Sequence, residues 1–527
     1  MANPILQRVD ETTSRTLNTQ TVATDGSTTV AFKLAGIATD LVEAKTVKIN
    51  GEIGPTIAAR FYAIVGSAMY EAQQIFYGEE KTSLGRRGSD RKLEKMAKRA
   101  ARGLNGSAKD EFIDNVIAYA TAEVMRNQAP GVDALKIVEE GLTGALNDIG
   151  IANYDAKRIG IAIAETVIQA YALDGSAAGS SYNPKNSSPT NIKFIDKWTP
   201  EYNVGDNPSS GIQKFLTPQW GNVNEILGKK ALNTIKSGLP NPEPFLLDPN
   251  AKYDLSTRKI THFNGQDVDI DINSAAVGQY INPDFIAQAQ RVVDASRDLT
   301  PEQKLIAEFW EDGPGTGFPP GTWVEFGRYA SELYDNTRQE DVRMFFGIGQ
   351  ALFSASVASW GLKAEKDYTR PLTAIRELSR LGLLRDEDPI IGGVQVESYD
   401  RNTQATGIIN GKDWKTYQTF GNFFSPPFTE YVSGHSTFSS AAGRVIDLIT
   451  GRSDFGGSVT TKSLIEAGKP DNPDVTLTWE TWRDAWTESG ISRIYGGIHF
   501  DQGNENGLIL GERIGDAVFA KVSELWS

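Results

Sequence analysis

No cysteine occurs anywhere in the 527 residues. That excludes disulfide staples, zinc–thiolate centres and cysteine nucleophiles. Methionine is scarce too, with five in all; a chain poor in oxidisable sulfur suits an enzyme that makes an oxidant, and equally suits compositional drift. Basic charge is in deficit: 53 Lys and Arg face 67 Asp and Glu, for a net charge of −14. An acidic surface disfavours nucleic acid and anionic membranes as partners, so any anion site has to be a local cationic exception. No stretch approaches the roughly 18 consecutive apolar residues of a membrane span. Met1 to Gln20 is polar, without the charged start and apolar run of a secretory signal. The expectation is a soluble, cytoplasmic chain with no membrane or nucleic-acid partner. Histidine is the last scarcity: His262, His435 and His499 are the only three.

Aromatics are plentiful, at 23 Phe, 17 Tyr and 10 Trp, enough to fill a sizeable core. The length suits two or more ordinary domains or one large helical one. Apolar residues recur at helical spacing from Pro55 (Ile57, Phe61, Ile64, Val65, Ala68, Met69, Ala72), and helical patterns follow near 90–103, 110–127, 133–147 and 153–173. Residues 174–192 are rich in Ser, Gly, Asn and Pro and read as a long loop. The irregular character runs to about 282, with a weak hairpin pattern in 252–270. Helices are predicted again at 283–297, at 301–311 behind Thr300 as N-cap, and at 322–335, 339–362, 436–450, 478–489 and 504–525. Trp479, Trp482 and Trp486 share one helical face in that reading, and Gly507, Gly511 and Gly515 form a small-residue stripe. The chain therefore reads as mostly α with long loops and little sheet, an N-terminal half 1–282 and a C-terminal half 283–527.

Three short clusters carry the chemistry. In the first, Lys363 and Arg370 lie seven apart, with Pro371 after them. Proline disfavours helix at the preceding residue, which puts Lys363 at a helix end and Arg370 in the turn beyond it. Alone, this is a solvated charged helix end. In the second, Ser433, Gly434 and His435 precede an apolar helix. Free N–H groups and the positive dipole end make such a start an anion site; alone, it is a capping turn. In the third, Arg493 and His499 flank a Gly-Gly bend that lets backbone approach a ligand; alone, it is a glycine turn with an exposed arginine. Together the clusters supply a Lys, two Arg, a Ser hydroxyl, a Gly N–H and two His, an inventory for a tetrahedral or trigonal-bipyramidal oxyanion. One histidine can bond the central atom and the other can move a proton. His262, among Arg258, Lys259 and Phe263, has no motif around it and reads as structural or surface.

These clusters resemble the three-part signature shared by vanadium haloperoxidases and the type-2 phosphatidic-acid phosphatase superfamily. Lys363, Arg370 and Pro371 match the first part. Ser433, Gly434 and His435 match the second, with Val432 in place of proline. Ser492, Arg493, Gly497 and His499 match the third, but Gly503 stands where the signature has an Asp, with Asp501 and Asn504 as nearby substitutes. The contexts Pro426-Pro427-Phe428, Trp310-Glu311-Asp312-Gly313-Pro314 and Ala68-Met69-Tyr70-Glu71-Ala72 look like the soluble haloperoxidase branch.

That resemblance implies a large helical-bundle architecture of two four-helix bundles. It implies one vanadate per chain, bonded to His499 and held by Lys363, Arg370, Ser433, Gly434 and Arg493. His435 would be the acid–base residue, Lys363 would polarise the bound oxygen, and Asp312 would pair with Arg370 and Arg493. Trp360 and Phe428 match the chloroperoxidase pattern at the halide pocket. Hydrogen peroxide, a halide (bromide, with chloride or iodide as further candidates) and a small organic acceptor would be the substrates, and homo-oligomers are expected. Two other readings stay open: a vanadate-inhibited acid phosphatase working through a phosphohistidine at His499, and a non-catalytic oxyanion-binding protein.

Overall fold

A computed structural model describes residues 28–526 apart from 78–80, 85–90, 150–152, 262–266, 271–276, 298, 385–394, 401–402, 468 and 470–471. His262 lies outside the described residues. Within them, fifteen α-helices are joined by long loops and three small antiparallel sheets.

The organising element is the 29-residue helix Arg338–Lys366. It starts at a capping box: the Thr337 side chain accepts from the Glu340 backbone N–H, and Glu340 reaches back to the Thr337 backbone. It ends at Asp367, which takes the left-handed conformation. By length and composition it is the one helix among the described residues apolar enough to cross a membrane, yet 94% of that apolar window is buried inside the protein. Small residues explain how it can be surrounded. A Cβ on Gly349 would lie 2.7 Å from the Tyr62 carbonyl, and one on Gly66 would lie 2.8 Å from the Phe345 carbonyl, so the helix Pro55–Gln74 crosses it backbone to backbone. On its other side, Val445 and Ile449 of the helix Gly434–Thr450 close over Gly347.

The stripe Gly507, Gly511 and Gly515 does what its spacing predicts. It lies in the helix Asp501–Ser523, and side chains there would overlap the backbone of Gly434–Thr450: at Gly507 the Ser433 carbonyl, at Gly511 the Thr437 carbonyl and at Gly515 the Ala441 carbonyl. The first turn of Gly434–Thr450 is thereby held close to the start of Asp501–Ser523, which follows His499 directly.

Most expected helices are present: Arg91–Ala100, Ser107–Gln128, Val132–Ile149, Tyr154–Tyr171, Pro283–Arg297 and Pro301–Phe309, the last behind Thr300 in a full capping box. Phe318–Tyr334 begins four residues before its expected start, because Pro319 and Pro320 fit a first turn, where no N–H partner is needed. The expected 478–489 helix is corrected. Val475–Thr481 is a strand paired with Asp454–Thr461, and the helix Trp482–Tyr495 starts only at the Thr481 cap. Trp479 therefore shares no helical face with Trp482 and Trp486, although all three are buried. Its alternation is that of a strand: Leu477 and Trp479 point inward, Thr476 and Thr478 outward. Helices Val30–Glu43, Lys229–Lys236 and Pro371–Arg380 and the hairpin Gln395–Asp400 with Ala405–Asn410 were not anticipated. The weak 252–270 pattern becomes three short antiparallel strands.

Gly511→Ala is expected to cost about 1–3 kcal/mol by overpacking this contact, whereas Gly144→Ala, exposed in a helix with open space around it, should gain about 0.5–1 kcal/mol. Chemical denaturation of both variants checks the pair.

Candidate active site

The three sequence clusters meet in one place. Lys363 lies near the end of the central helix and is fully buried. Its Nζ donates to the carbonyls of Thr429 and Glu430 at 2.8 and 2.9 Å. An ammonium has three donors, so one remains uncommitted to these carbonyls. Burial pushes its pKa well below the ordinary lysine value, Arg370 and Arg493 push it further down, and Glu430 opposes them.

Arg370 stands at the N-cap of Pro371–Arg380, in extended backbone, as the proline after it requires. Its Nε donates to the Phe428 carbonyl at 2.9 Å and its Nη1 to the Ile498 carbonyl at 2.8 Å. Nη1 also lies 3.0 Å from His499 Nε2. Nη2 is buried with no hydrogen-bond partner. Arg493, in the last turn of Trp482–Tyr495, gives Nη1 to the Trp310 carbonyl at 2.8 Å, and its Nε is likewise buried and unpartnered. Burial lowers the two guanidinium pKa values to about 10 and about 9. Both remain cations at neutral pH.

Ser433 caps the helix Gly434–Thr450, its hydroxyl oxygen accepting from the Ser436 N–H at 3.3 Å. That leaves the hydroxyl hydrogen to donate, and the first-turn N–H groups of Gly434 and His435 have no acceptor within the helix. His435 is half-buried, with its Nε2 enclosed and unpartnered. Burial, and after it Arg493, holds its pKa well below the usual histidine value, against a backbone hydrogen bond at Glu311.

His499 is 2% exposed. Burial lowers its pKa well below normal, and Arg370, Lys363 and Arg493 add to the shift. The ring is therefore neutral, and its tautomer follows from its partners. A guanidinium can only donate, so Nε2 accepts from Arg370 and carries no proton. Nδ1 then bears the hydrogen and donates it to Glu430 Oε1 at 2.7 Å.

Glu430 is a site residue that the motif reading passed over. It is fully buried, accepts the Phe500 backbone N–H at 3.1 Å as well as the imidazole, and is pushed up to about 7 by burial against the pull of Lys363 and Arg370. Its carboxylate fills the space a side chain on Gly503 would enter: a Cβ there would overlap Oε1. The two substitutes named from sequence do other work. Asp501 pairs with Arg291, and Asn504 accepts from the Ser436 hydroxyl at 2.7 Å. A glutamate five residues before a histidine in a loop carries no periodic signal, and only the conspicuous Gly503 hinted that a carboxylate had to come from elsewhere.

Asp312 is 4% exposed and accepts from the Thr322 hydroxyl at 2.9 Å, with Oδ2 unpartnered. Burial lifts its pKa to about 7, and it is the carboxylate that most strongly favours the Arg493 charge. Arg370 draws its corresponding support from Glu430 and Glu201 instead. Trp360 and Phe428 are both buried, with ring centroids 4.8 Å apart, and Lys363 Nζ sits 5.7 and 5.2 Å from their centres. They form an apolar wall beside the cations, which strengthens electrostatics by keeping water out.

With both histidines held neutral, neither imidazole of the vanadate-free protein should titrate between about pH 8 and about pH 6, where a free histidine of pKa near 6.5 would. Histidine-selective nitrogen-15 NMR against pH measures this; protonation of His435 or His499 in that window would contradict the electrostatic picture.

The chain is similar to known proteins in part of its sequence and in its fold. Residues 343–527 match the family model of the VCPO second helical-bundle domain. The structure superposes on an apo-type bacterial vanadium-dependent chloroperoxidase with a TM-score of 0.66 at 18% identity, over 90% of this chain and 95% of that one. The holo-type structure gives a TM-score of 0.66 at 18% identity, over 92% and 96%. A structure described as the first bacterial vanadium-dependent iodoperoxidase gives 0.62 at 17%, over 94% and 98%. No curated protein matches.

Proposed function

From a chain whose family-model match and fold support the vanadium haloperoxidase family, we propose that this protein binds one vanadate and uses hydrogen peroxide to oxidise halide to a hypohalous-acid equivalent that halogenates small organic acceptors. The observation that carries the reading is a set of enclosed, unsatisfied groups on one neutral imidazole: Arg370 Nη2, Arg493 Nε and His435 Nε2 have no partner, and each of these side chains acts electrostatically on His499. Unpaired buried donors are costly, and an oxyanion placed among them satisfies several at once.

The donor set fits vanadate. His499 Nε2 is deprotonated and available as a ligand, with Nδ1–H held by a carboxylate, the arrangement that orients metal-binding histidines. Lys363, Arg370, Arg493, the Ser433 hydroxyl and the Gly434 N–H would hold the oxygens. Bound vanadate supplies a Lewis acid that activates peroxide without changing its own oxidation state. The chain's own residues do the rest. His435 Nε2 accepts a proton from incoming hydrogen peroxide and can return it to a leaving oxygen, which a neutral imidazole in the pocket can do and an imidazolium cannot. Lys363, through its remaining N–H, would withdraw electron density from the peroxide oxygen that the halide attacks and so make that oxygen more electrophilic. Asp312 supports the Arg493 charge, and the Trp360–Phe428 wall excludes water where the halide approaches. All of these residues fall within 283–527, the expected C-terminal half.

The test is halogenation of a phenol dye by peroxide and bromide, before and after orthovanadate is added. Activity should depend on vanadate, and His499→Ala should abolish both binding and turnover. Vanadate-inhibited hydrolysis of an aryl phosphate without halogenation would overturn the reading in favour of a phosphatase. A polar residue in the aromatic wall admits water, so Phe428→His should lower chloride turnover more than bromide turnover; an unchanged chloride-to-bromide ratio in steady-state assays would remove Phe428 from the halide pocket.

A further inference from the structure

The third cluster ends without the carboxylate its signature carries, and the structure shows what fills the gap. Gly503 lies one turn beyond His499, at the start of the helix Asp501–Ser523. Any Cβ at that position would overlap Oε1 of Glu430 and come within 2.7 Å of its carboxyl carbon. Glu430 is not near in sequence; it belongs to the loop that leads into Ser433. Two chain segments thus compete for one volume, and here the glutamate holds it and the glycine vacates it.

We infer that Glu430 is the positioning carboxylate of His499, transposed from the third cluster to the approach of the second, and that Gly503 is the vacancy that permits it. Glu430 fixes the ring in two ways. Oε1 accepts the Nδ1–H at 2.7 Å, which leaves Nε2 without a proton, as an acceptor. The same oxygen accepts the Phe500 N–H at 3.1 Å, which stops the carboxylate from rotating away. A carboxylate behind an imidazole also raises the basicity of the opposite nitrogen, which strengthens it as a ligand.

The transposition changes how the site is tied together. A carboxylate at 503 would link His499 only to its own segment. Glu430 links it to all three clusters. Its backbone carbonyl accepts from Lys363 Nζ at 2.9 Å, its backbone N–H donates to the Tyr368 carbonyl at 3.1 Å beside Arg370, and three residues on, Ser433 N–H donates to the Gly503 carbonyl at 2.9 Å. One loop thus fixes the lysine, the imidazole and the helix start relative to each other. The ligand consequence rests on the vanadate reading above; the orientation of the imidazole does not.

The experiment compares four proteins: unmodified, Glu430→Ala, Gly503→Asp, and the double variant Glu430→Ala/Gly503→Asp. Histidine-selective nitrogen-15 NMR of the vanadate-free proteins reports the His499 tautomer, and calorimetry reports orthovanadate affinity. The unmodified protein should show Nδ1–H with unprotonated Nε2. Glu430→Ala should mix the tautomers and weaken vanadate binding by about 10–100-fold, the usual effect of losing such a partner. The double variant should recover both the Nδ1–H signal and most of the affinity, because its aspartate enters the space the glutamate left. Gly503→Asp alone should be worse than the double variant, since two carboxylates then contend for one site. Should Glu430→Ala fail to fold, Glu430→Gln, which keeps the shape and loses the charge, must still lose affinity. An unchanged tautomer in Glu430→Ala, full affinity in Glu430→Gln, or a folded double variant no better than Glu430→Ala would each overturn the inference. If the unmodified protein binds no vanadate while its tautomer responds as described, the positioning role stands and the haloperoxidase reading falls.

Discussion

The burial of Lys363, Arg370 and Arg493 around one neutral imidazole is the constraint on which the rest of the site depends. Taking a single ion out of water costs several kcal/mol even after relaxation, and these three repel one another as well. Burial depresses all three pKa values, and Arg370 appears among the causes for both Lys363 and Arg493. Such a cluster persists only where fixed dipoles hold it. Here they are carbonyl oxygens: Thr429 and Glu430 for Lys363, Phe428 and Ile498 for Arg370, Trp310 for Arg493. Every one of these carbonyls lies outside regular helix, which is why the site is walled by irregular loops although the molecule is helical.

The helices serve to hold those loops in register. The central helix presents Lys363 in its last turns, and its small residues let helices close on both sides. The glycine stripe brings Gly434–Thr450 onto Asp501–Ser523, so that a helix N-terminus and the His499 segment arrive together. Preorganised donors of this kind bind an oxyanion without further rearrangement cost. The same electrostatics keep both site histidines neutral, which suits one for ligation at Nε2 and the other for moving a proton.

How much of this was legible in the sequence follows from how each feature is encoded. Lys363, Arg370, Ser433, His435, Arg493 and His499 sit in short local patterns with glycine or proline beside them, and these could be read directly. Helices with a strong 3.6-residue period or a cap at Thr300 were equally plain. Trp479 was misplaced because an aromatic three residues before another fits a helix face, while its true alternation with Thr476 and Thr478 is short. Glu430 and the carbonyl ring were invisible: one is a tertiary replacement across about 70 residues, and backbone oxygens leave no mark in sequence. Asp312 stood between: its segment was noticeable, but its field reaches Arg493, whereas Arg370 leans on Glu430 and Glu201.

The most direct measurement is a crystal structure of the protein soaked with orthovanadate. The account predicts density for a metal oxyanion continuous with Nε2 of His499 and ringed by Lys363, Arg370, Arg493 and the start of the helix Gly434–Thr450, with Glu430 still on Nδ1. Vanadate bonded to His435, or bound away from these three cations, would contradict it.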